Sequence, residues 1–261
     1  MLKKIACFFV LLICFALLYS TAMYGYVCLQ MRPLNPQAPV SGLQSAANRP
    51  QVHMIHAVNS PKRAQAKDAA YEGMEIDIHR KDGQLIAAHD PSHFEHAPAL
   101  TTIFAALSQP ETKTFWMDIK TNLTQQDIDQ LKDLARQYHV HPRRMLFEVK
   151  PGPMADLLTR NGFPILLQIP GNFLEDDKDP QKRAQLNTEL ENLLRQYQPY
   201  AIAASLGKYR TLQAYFPHYN KAIYSSTTVR PSLKKYFLTR AMQKDPSVQV
   251  WMQDEYTSLP F

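Results

Sequence analysis

The sequence predicts an α/β chain folded as a compact (β/α)8 TIM barrel that lacks its last helix and follows an N-terminal hydrophobic segment. Three observations predict it. Short runs recur after Pro50, most of them near-continuously apolar, as parallel strands covered on both faces require. Amphipathic stretches with helix start and stop signals separate these runs. No glycine-rich phosphate-binding turn follows any of the runs, which disfavours the open doubly wound sheet that is the competing architecture.

In chain order, Lys3 and Lys4 precede an uncharged run from Ile5 to about Val27. Ile5–Leu18 matches the apolar core of a signal peptide, with Ser20-Thr21-Ala22 as small residues for cleavage. The whole run is also long enough to cross a bilayer as a helix, so residues 1–28 read as a cleaved signal or a retained anchor. The apolar continuation from Met23 to Leu29 favours the anchor. Lysines before the run and few cations just after it place the rest of the chain on the extracytoplasmic side. All three cysteines lie in this segment, which leaves the following domain free of disulfides. A bacterial cell envelope protein is therefore expected, anchored in the inner membrane with its domain in the periplasm, or secreted if the leader is removed. Residues 29–50, rich in Pro, Gln, Ser, Ala and Asn, read as a linker, and 51–261 as the barrel domain.

The strand candidates are Val52–His56, Met74–Ile78, Phe115–Ile119, Met145–Val149, Pro164–Ile169, Tyr200–Ser205, Lys221–Ser225 and Val248–Met252. Leu85–Ala88 is a further extended piece, joined to the second strand through Lys81-Asp82-Gly83, a turn signal. Helices are predicted over Pro61–Tyr71, Leu100–Ser108, Ile128–Tyr138, Pro153–Arg160, Pro180–Tyr197 and Ser232–Gln243. Thr124 heads a Thr-x-x-Asp capping box before the third of these, and Asn161-Gly162 stops the fourth. The chain ends soon after the eighth strand, hence the missing last helix.

The formal net charge of +6 is mild, and no basic stripe interleaved with aromatics appears, so no nucleic-acid partner is expected. A basic face near an anionic membrane is compatible with this charge. The 19 prolines against 8 glycines exclude a flexible low-complexity chain. Oligomeric state is left open.

The polar residues at strand ends carry the functional argument. Burying unpaired polar groups costs several kcal/mol, roughly 2–7 for a neutral one, so such residues at the ends of apolar strands mark a site. In a barrel the C-terminal strand ends form the active face. There the sequence sets His56 and Asn59, then Glu75 and Asp77, then His89, then Asp118 and Lys120. Glu148, Lys150, Gln168, Tyr224 and Trp251 follow on later strands and, with Asn59, are possible pocket residues. Strand alternation puts Glu75 and Asp77 on one face, and Asp118 and Lys120 likewise. Carboxylates converging there would repel one another without a cation, and Glu75, Asp77 and Asp118 suit a hard oxygen-ligated ion, Mg²⁺ or Ca²⁺.

This pattern resembles the phospholipase C-like phosphodiesterase superfamily, above all its glycerophosphodiester phosphodiesterases. The matching residues are His56 on the first strand, the Glu75-x-Asp77 pair, the His89-Asp90 pair and the Asp118-x-Lys120 element. Asp118-Ile-Lys-Thr121 is also similar to the sphingomyelinase D branch, and HAVNS (residues 56–60) to the menorin family. The resemblance implies hydrolysis of a small phosphodiester or a lipid. His56 and His89 would be general base and acid, and Lys120 would hold a phosphate oxygen. The pattern departs at Ala57, where the phosphodiesterases carry an Arg, and no sizeable insertion fits between His89 and Phe115. These departures leave open a catalytically inactive barrel that binds a phospholipid headgroup or envelope component.

Overall fold

The computed structural model describes residues 2–31, 51–169, 173, 179–225 and 233–253. It opens with helix α1 (Leu2–Met31), whose large apolar side chains, Phe8 to Leu18 among them, are exposed. The 20-residue stretch Cys7–Tyr26 is long and apolar enough to cross a membrane. Most of the expected linker, residues 32–50, lies outside the described residues.

The domain then runs β1 (Val52–Ile55), α2 (Pro61–Lys67), β2 (Gly73–Lys81), β3 (Gln84–Ala87), α3 (Leu100–Ala105), β4 (Thr114–Ile119), α4 (Gln125–Gln137) and β5 (Met145–Val149). It continues with α5 (Pro153–Arg160), β6 (Ile165–Gln168), α6 (Pro180–Tyr197), β7 (Ala201–Ser205), α7 (Tyr209–Tyr215), β8 (Lys221–Tyr224), α8 (Leu233–Gln243) and β9 (Val248–Gln253). The strand order is β1-β9-β8-β7-β6-β5-β4-β2-β3, and an added β1–β2 pairing closes the ring. All pairings are parallel except β2–β3, so the barrel has the expected eight parallel strands with β3 as an antiparallel appendage.

Alternation along the strands divides the core in two. Met54, Trp116, Leu146, Leu166, Ala201, Ala203, Ala222, Val250 and Met252 form the barrel interior. The large Trp116 on β4 faces alanines on β7 and β8, the balance of volumes a filled small barrel needs. The opposite faces, with Ile76, Phe115, Phe147, Ile202 and Ile223, pack against the helices as a second, larger cluster. Each such aliphatic or aromatic side chain contributes about 1.5–3 kcal/mol on burial. Closure depends on Gly73. A Cβ there would meet the Thr114 carbonyl at 2.6 Å and Met54 Cγ at 2.7 Å, so only glycine lets β1, β2 and β4 meet.

Several elements differ from expectation. The helix predicted to Tyr71 is α-helical only to Lys67 and tightens to a 3₁₀ turn at Asp68–Ala70. The one predicted to Ser108 ends at Ala105. Both departures share a cause: the Asp68 carboxylate accepts hydrogen bonds from the Ser108 amide (2.8 Å) and hydroxyl (2.5 Å), drawing the two helix ends together. β2 is longer than expected because its last four residues pair with β3 across the Asp82-Gly83 turn, both residues having positive φ. The expected absence of a last helix concerns residues 254–261, and Ser232 precedes α8; both lie outside the described residues.

Candidate active site at the barrel mouth

The parity that buries Met54 and Trp116 inside the barrel also turns His56, Glu75, Asp77, Asp118, Lys120, Glu148 and Gln168 toward its C-terminal mouth. The β2–β4–β5 register sets Asp77, Asp118 and Glu148 side by side. Glu75, Asp77 and Asp118 each offer an oxygen within 4.8 Å of the other two. Glu75 and Asp77 are both 1% exposed, so water screens neither of them.

Each carboxylate is held by the chain around it. After β1 the backbone turns at Ala57, whose φ of 57° is left-handed although no glycine is present. That conformation costs a non-glycine residue about 1–3 kcal/mol, and here it aims the Ala57 amide at Glu75 Oε2, 2.6 Å away. His56 Nε2 lies 3.8 Å from the same oxygen. Asn59 grips Asp77 twice through its side chain: Nδ2 donates to Asp77 Oδ2 (2.6 Å) and Oδ1 accepts from the Asp77 backbone amide (2.9 Å). Ser60 then caps α2 by accepting from the Arg63 amide, and the Arg63 guanidinium donates to the His56 carbonyl at 3.2 Å.

His89 arrives by another route. The β2–β3 hairpin doubles the chain back so that the Ala88 amide donates to the Asp77 carbonyl at 3.1 Å. His89 Nδ1 then sits 3.2 Å from both Asp77 carboxylate oxygens. His79, in the β2 arm of the same hairpin, is buried against Phe94, with its Nε2 3.5 Å from the His89 carbonyl. Lys120 Nζ bridges Asp77 Oδ1 (3.0 Å) and Asp118 Oδ2 (2.5 Å).

The electrostatics follow from burial. Burial and the neighbouring Asp77 charge raise Glu75 well above the usual carboxylate range. Burial also raises Asp118, with Lys120 opposing it. For Lys120 burial acts downward, but its hydrogen bond and charge interaction with Asp118, together with Asp77, outweigh it and raise the ammonium. Glu148 is pushed up to about 8, chiefly by burial and then by Asp118; its carboxylate accepts from the Trp116 indole at 2.8 Å.

Asp118, Lys120, Glu148, Lys150 and Gln168 line an open cavity of about 930 Å³. Lys150 and Gln168 also border a second of about 710 Å³, which adds Ser205, Lys208 and Tyr224. Together these form a cleft running from the carboxylates across β5–β8. Of the expected pocket residues, Asn59 braces Asp77 and is absent from the lining of either cavity.

Trp251 is not brought to the site. The β8–β9 register slips between Lys221 and Ala222, so Val248 faces the helices while Val250 faces the interior. That slip inverts the alternation, and Trp251 points outward, its ring stacked on His53 at 3.9 Å. Two residues near the site carry no sequence signal. Arg63 reads as an ordinary helix-surface cation, and Trp116 as a core aromatic until the register puts its N–H beside Glu148.

No protein-family model matches the chain, and no curated protein matches it. Several solved structures are similar to it over most of their length. A glycerophosphodiester phosphodiesterase from Parabacteroides distasonis superposes with a TM-score of 0.50 at 13% identity, over 81% of this chain and 95% of that one. A phosphoribosyl anthranilate isomerase from Thermococcus kodakaraensis follows at 0.47 and 10% identity, over 80% and 90% of the two chains. An orotidine 5'-monophosphate decarboxylase from Sulfolobus solfataricus gives 0.45 and 10%, over 78% and 88%. At such identities the first of these establishes the barrel fold, which many chemistries share.

Proposed function

We propose that the chain is a metal-dependent phosphodiesterase acting on a small glycerophosphodiester or a phospholipid headgroup. The observation that carries the reading is the cluster of Glu75, Asp77 and Asp118, two of them buried, with His56, His89 and Lys120 against them. An oxygen-only donor set of this charge fits Mg²⁺ or Ca²⁺, and Glu75, Asp77 and Asp118 would hold the ion. Bound there, the cation would neutralise charge developing on a phosphoryl oxygen.

The chain's own groups supply the rest. With His89 Nδ1 engaged by Asp77, its Nε2 is the atom that exchanges a proton with nucleophile or leaving group. His56, just after β1 and beside Glu75, serves as the second proton-transfer group. Lys120, kept protonated by its two carboxylates, binds a non-bridging phosphate oxygen. The β5–β8 cleft receives the remainder of the substrate. A glycerophosphodiester phosphodiesterase is built on the same barrel fold, so the fold accommodates this chemistry. In the same reading α1 holds the domain at the extracytoplasmic face of a bacterial inner membrane, or directs its secretion if cleaved.

One observation favours a second reading. Lys120 lies 3.0 Å from Asp77 and 2.5 Å from Asp118, so a cation of the chain itself partly neutralises the cluster. A barrel built that way can bind a phosphate headgroup without turning it over.

The deciding experiment measures product release from glycerophosphodiesters and lysophospholipids by the full-length protein, with Mg²⁺, Ca²⁺ or chelator. Turnover that needs the ion and falls about 10²–10⁴-fold in His56→Ala and in His89→Ala is expected. Headgroup binding with no turnover by the folded, metal-loaded protein would select the binding module instead.

A further inference from the structure

The chain's positive charge is unevenly placed. Residues 206–244 hold eight of the 29 basic residues and none of the 23 acidic ones, so the remainder of the protein is slightly acidic. In the barrel this acid-free segment forms α7, β8 and α8 on one side. Lys221 is fully buried and adds nothing to the surface. Arg240 and Lys244 are exposed at the end of α8, and Lys208 and Arg210 are half-exposed at the start of α7.

A second observation ties this side to a membrane. α1 packs against α7 and α8, with Tyr24 meeting Phe237 edge-on at a centroid distance of 5.4 Å. Tyr24 lies near the end of the apolar stretch Cys7–Tyr26, while the turns before it, Phe8 to Leu18, are exposed. A bilayer around those turns would therefore meet the barrel on its α7–α8 side. That side offers the chemistry of an interface: tyrosine and phenylalanine rings beside the membrane helix, and a basic segment that itself contains no acidic residue. Arg240 stands over the Tyr236 ring at 5.7 Å, combining both features.

We infer that the α7–α8 face is a docking surface for an anionic lipid leaflet, seated beside the membrane helix. It seats the barrel directly on the bilayer beside that helix. The inference rests on α1 lying in a bilayer but not on the phosphodiesterase reading.

The test uses the full-length chain with Cys7, Cys14 and Cys28 replaced by Ser. A single cysteine, Thr239→Cys on α8 or Gln126→Cys on the opposite side of the ring in α4, carries an environment-sensitive fluorophore. The protein is reconstituted in phosphatidylcholine vesicles with or without phosphatidylglycerol. The α8 label should move to an apolar environment only when phosphatidylglycerol is present, and return on adding salt. The α4 label should not respond. Arg240→Glu with Lys244→Glu should weaken docking by roughly fivefold or more per charge. The salt response of the unaltered face keeps the test decisive if that variant folds poorly. Equal response of both labels, no response to phosphatidylglycerol, or failure to float with any vesicle overturns the inference. So does a duplex DNA gel shift abolished by the same charge reversals, which would assign the face to nucleic acid.

Discussion

Glu148 shows what a single carboxyl does when its partner is an indole and not a cation. Its pKa is pushed up to about 8 from an ordinary 4.5, burial being the main cause. Between those values the folded protein keeps a proton that the unfolded chain has released, so this group's stabilisation is complete below pH 4.5 and is lost as the pH rises through 8. In chelator, Glu148→Gln should flatten the decline of stability across that window, read by denaturant midpoints at a series of pH values. It keeps an acceptor for the Trp116 N–H, so the fold is undisturbed. An unchanged pH dependence would mean that Glu148 is not protonated in the native state. At this scale the sequence was informative where a residue's chemistry conflicts with its strand. His56, Glu75, Asp77, His89, Asp118 and Lys120 stand out because polar groups at the ends of apolar runs need a reason. Arg63 and Trp116 conflict with nothing in their local setting, which is why they pass unnoticed.

Among the elements, β2 does the most. Its first residue closes the barrel, its middle carries two carboxylates, and its far end makes the hairpin that returns His89 to Asp77. Gly73→Ala should therefore cost about 1–3 kcal/mol, since the added methyl overlaps the Thr114 carbonyl and Met54. A thermal melt of the purified variant measures this, and a melt equal to the parent's would show that β1 and β4 can part without penalty. Element boundaries were legible where a local signal marks them. The Thr124 capping box starts α4, and Asn161-Gly162 ends α5. They were not legible where a remote partner decides, as at Asp68, which is 40 residues from the Ser108 it binds.

For the whole molecule, the cation reading makes a thermodynamic claim. An ion bound only by the folded state at a hundred times its Kd adds about 2.7 kcal/mol. For a domain of this size that raises the melting temperature by roughly 5–10 °C. Mg²⁺ or Ca²⁺ added after chelation should produce that rise, and Glu75→Gln or Asp77→Asn should abolish it. An equal rise in the parent and both variants would place the ion elsewhere. What the sequence by itself determined is what near neighbours along the chain encode. Strand count follows from apolar runs, fold class from their alternation with helices, the membrane-length segment from its composition, and the strand-end acids and histidines from their position. The tertiary structure alone decided which of these residues meet. The register that aligns Asp77, Asp118 and Glu148, the hairpin that returns His89, and the β9 irregularity that turns Trp251 outward all depend on pairing between distant strands. Strand pairing is set by closure and volume in the assembled barrel. With a side-chain period of two, a slip of one residue moves a side chain from the mouth to the helix layer while leaving the local sequence pattern unchanged.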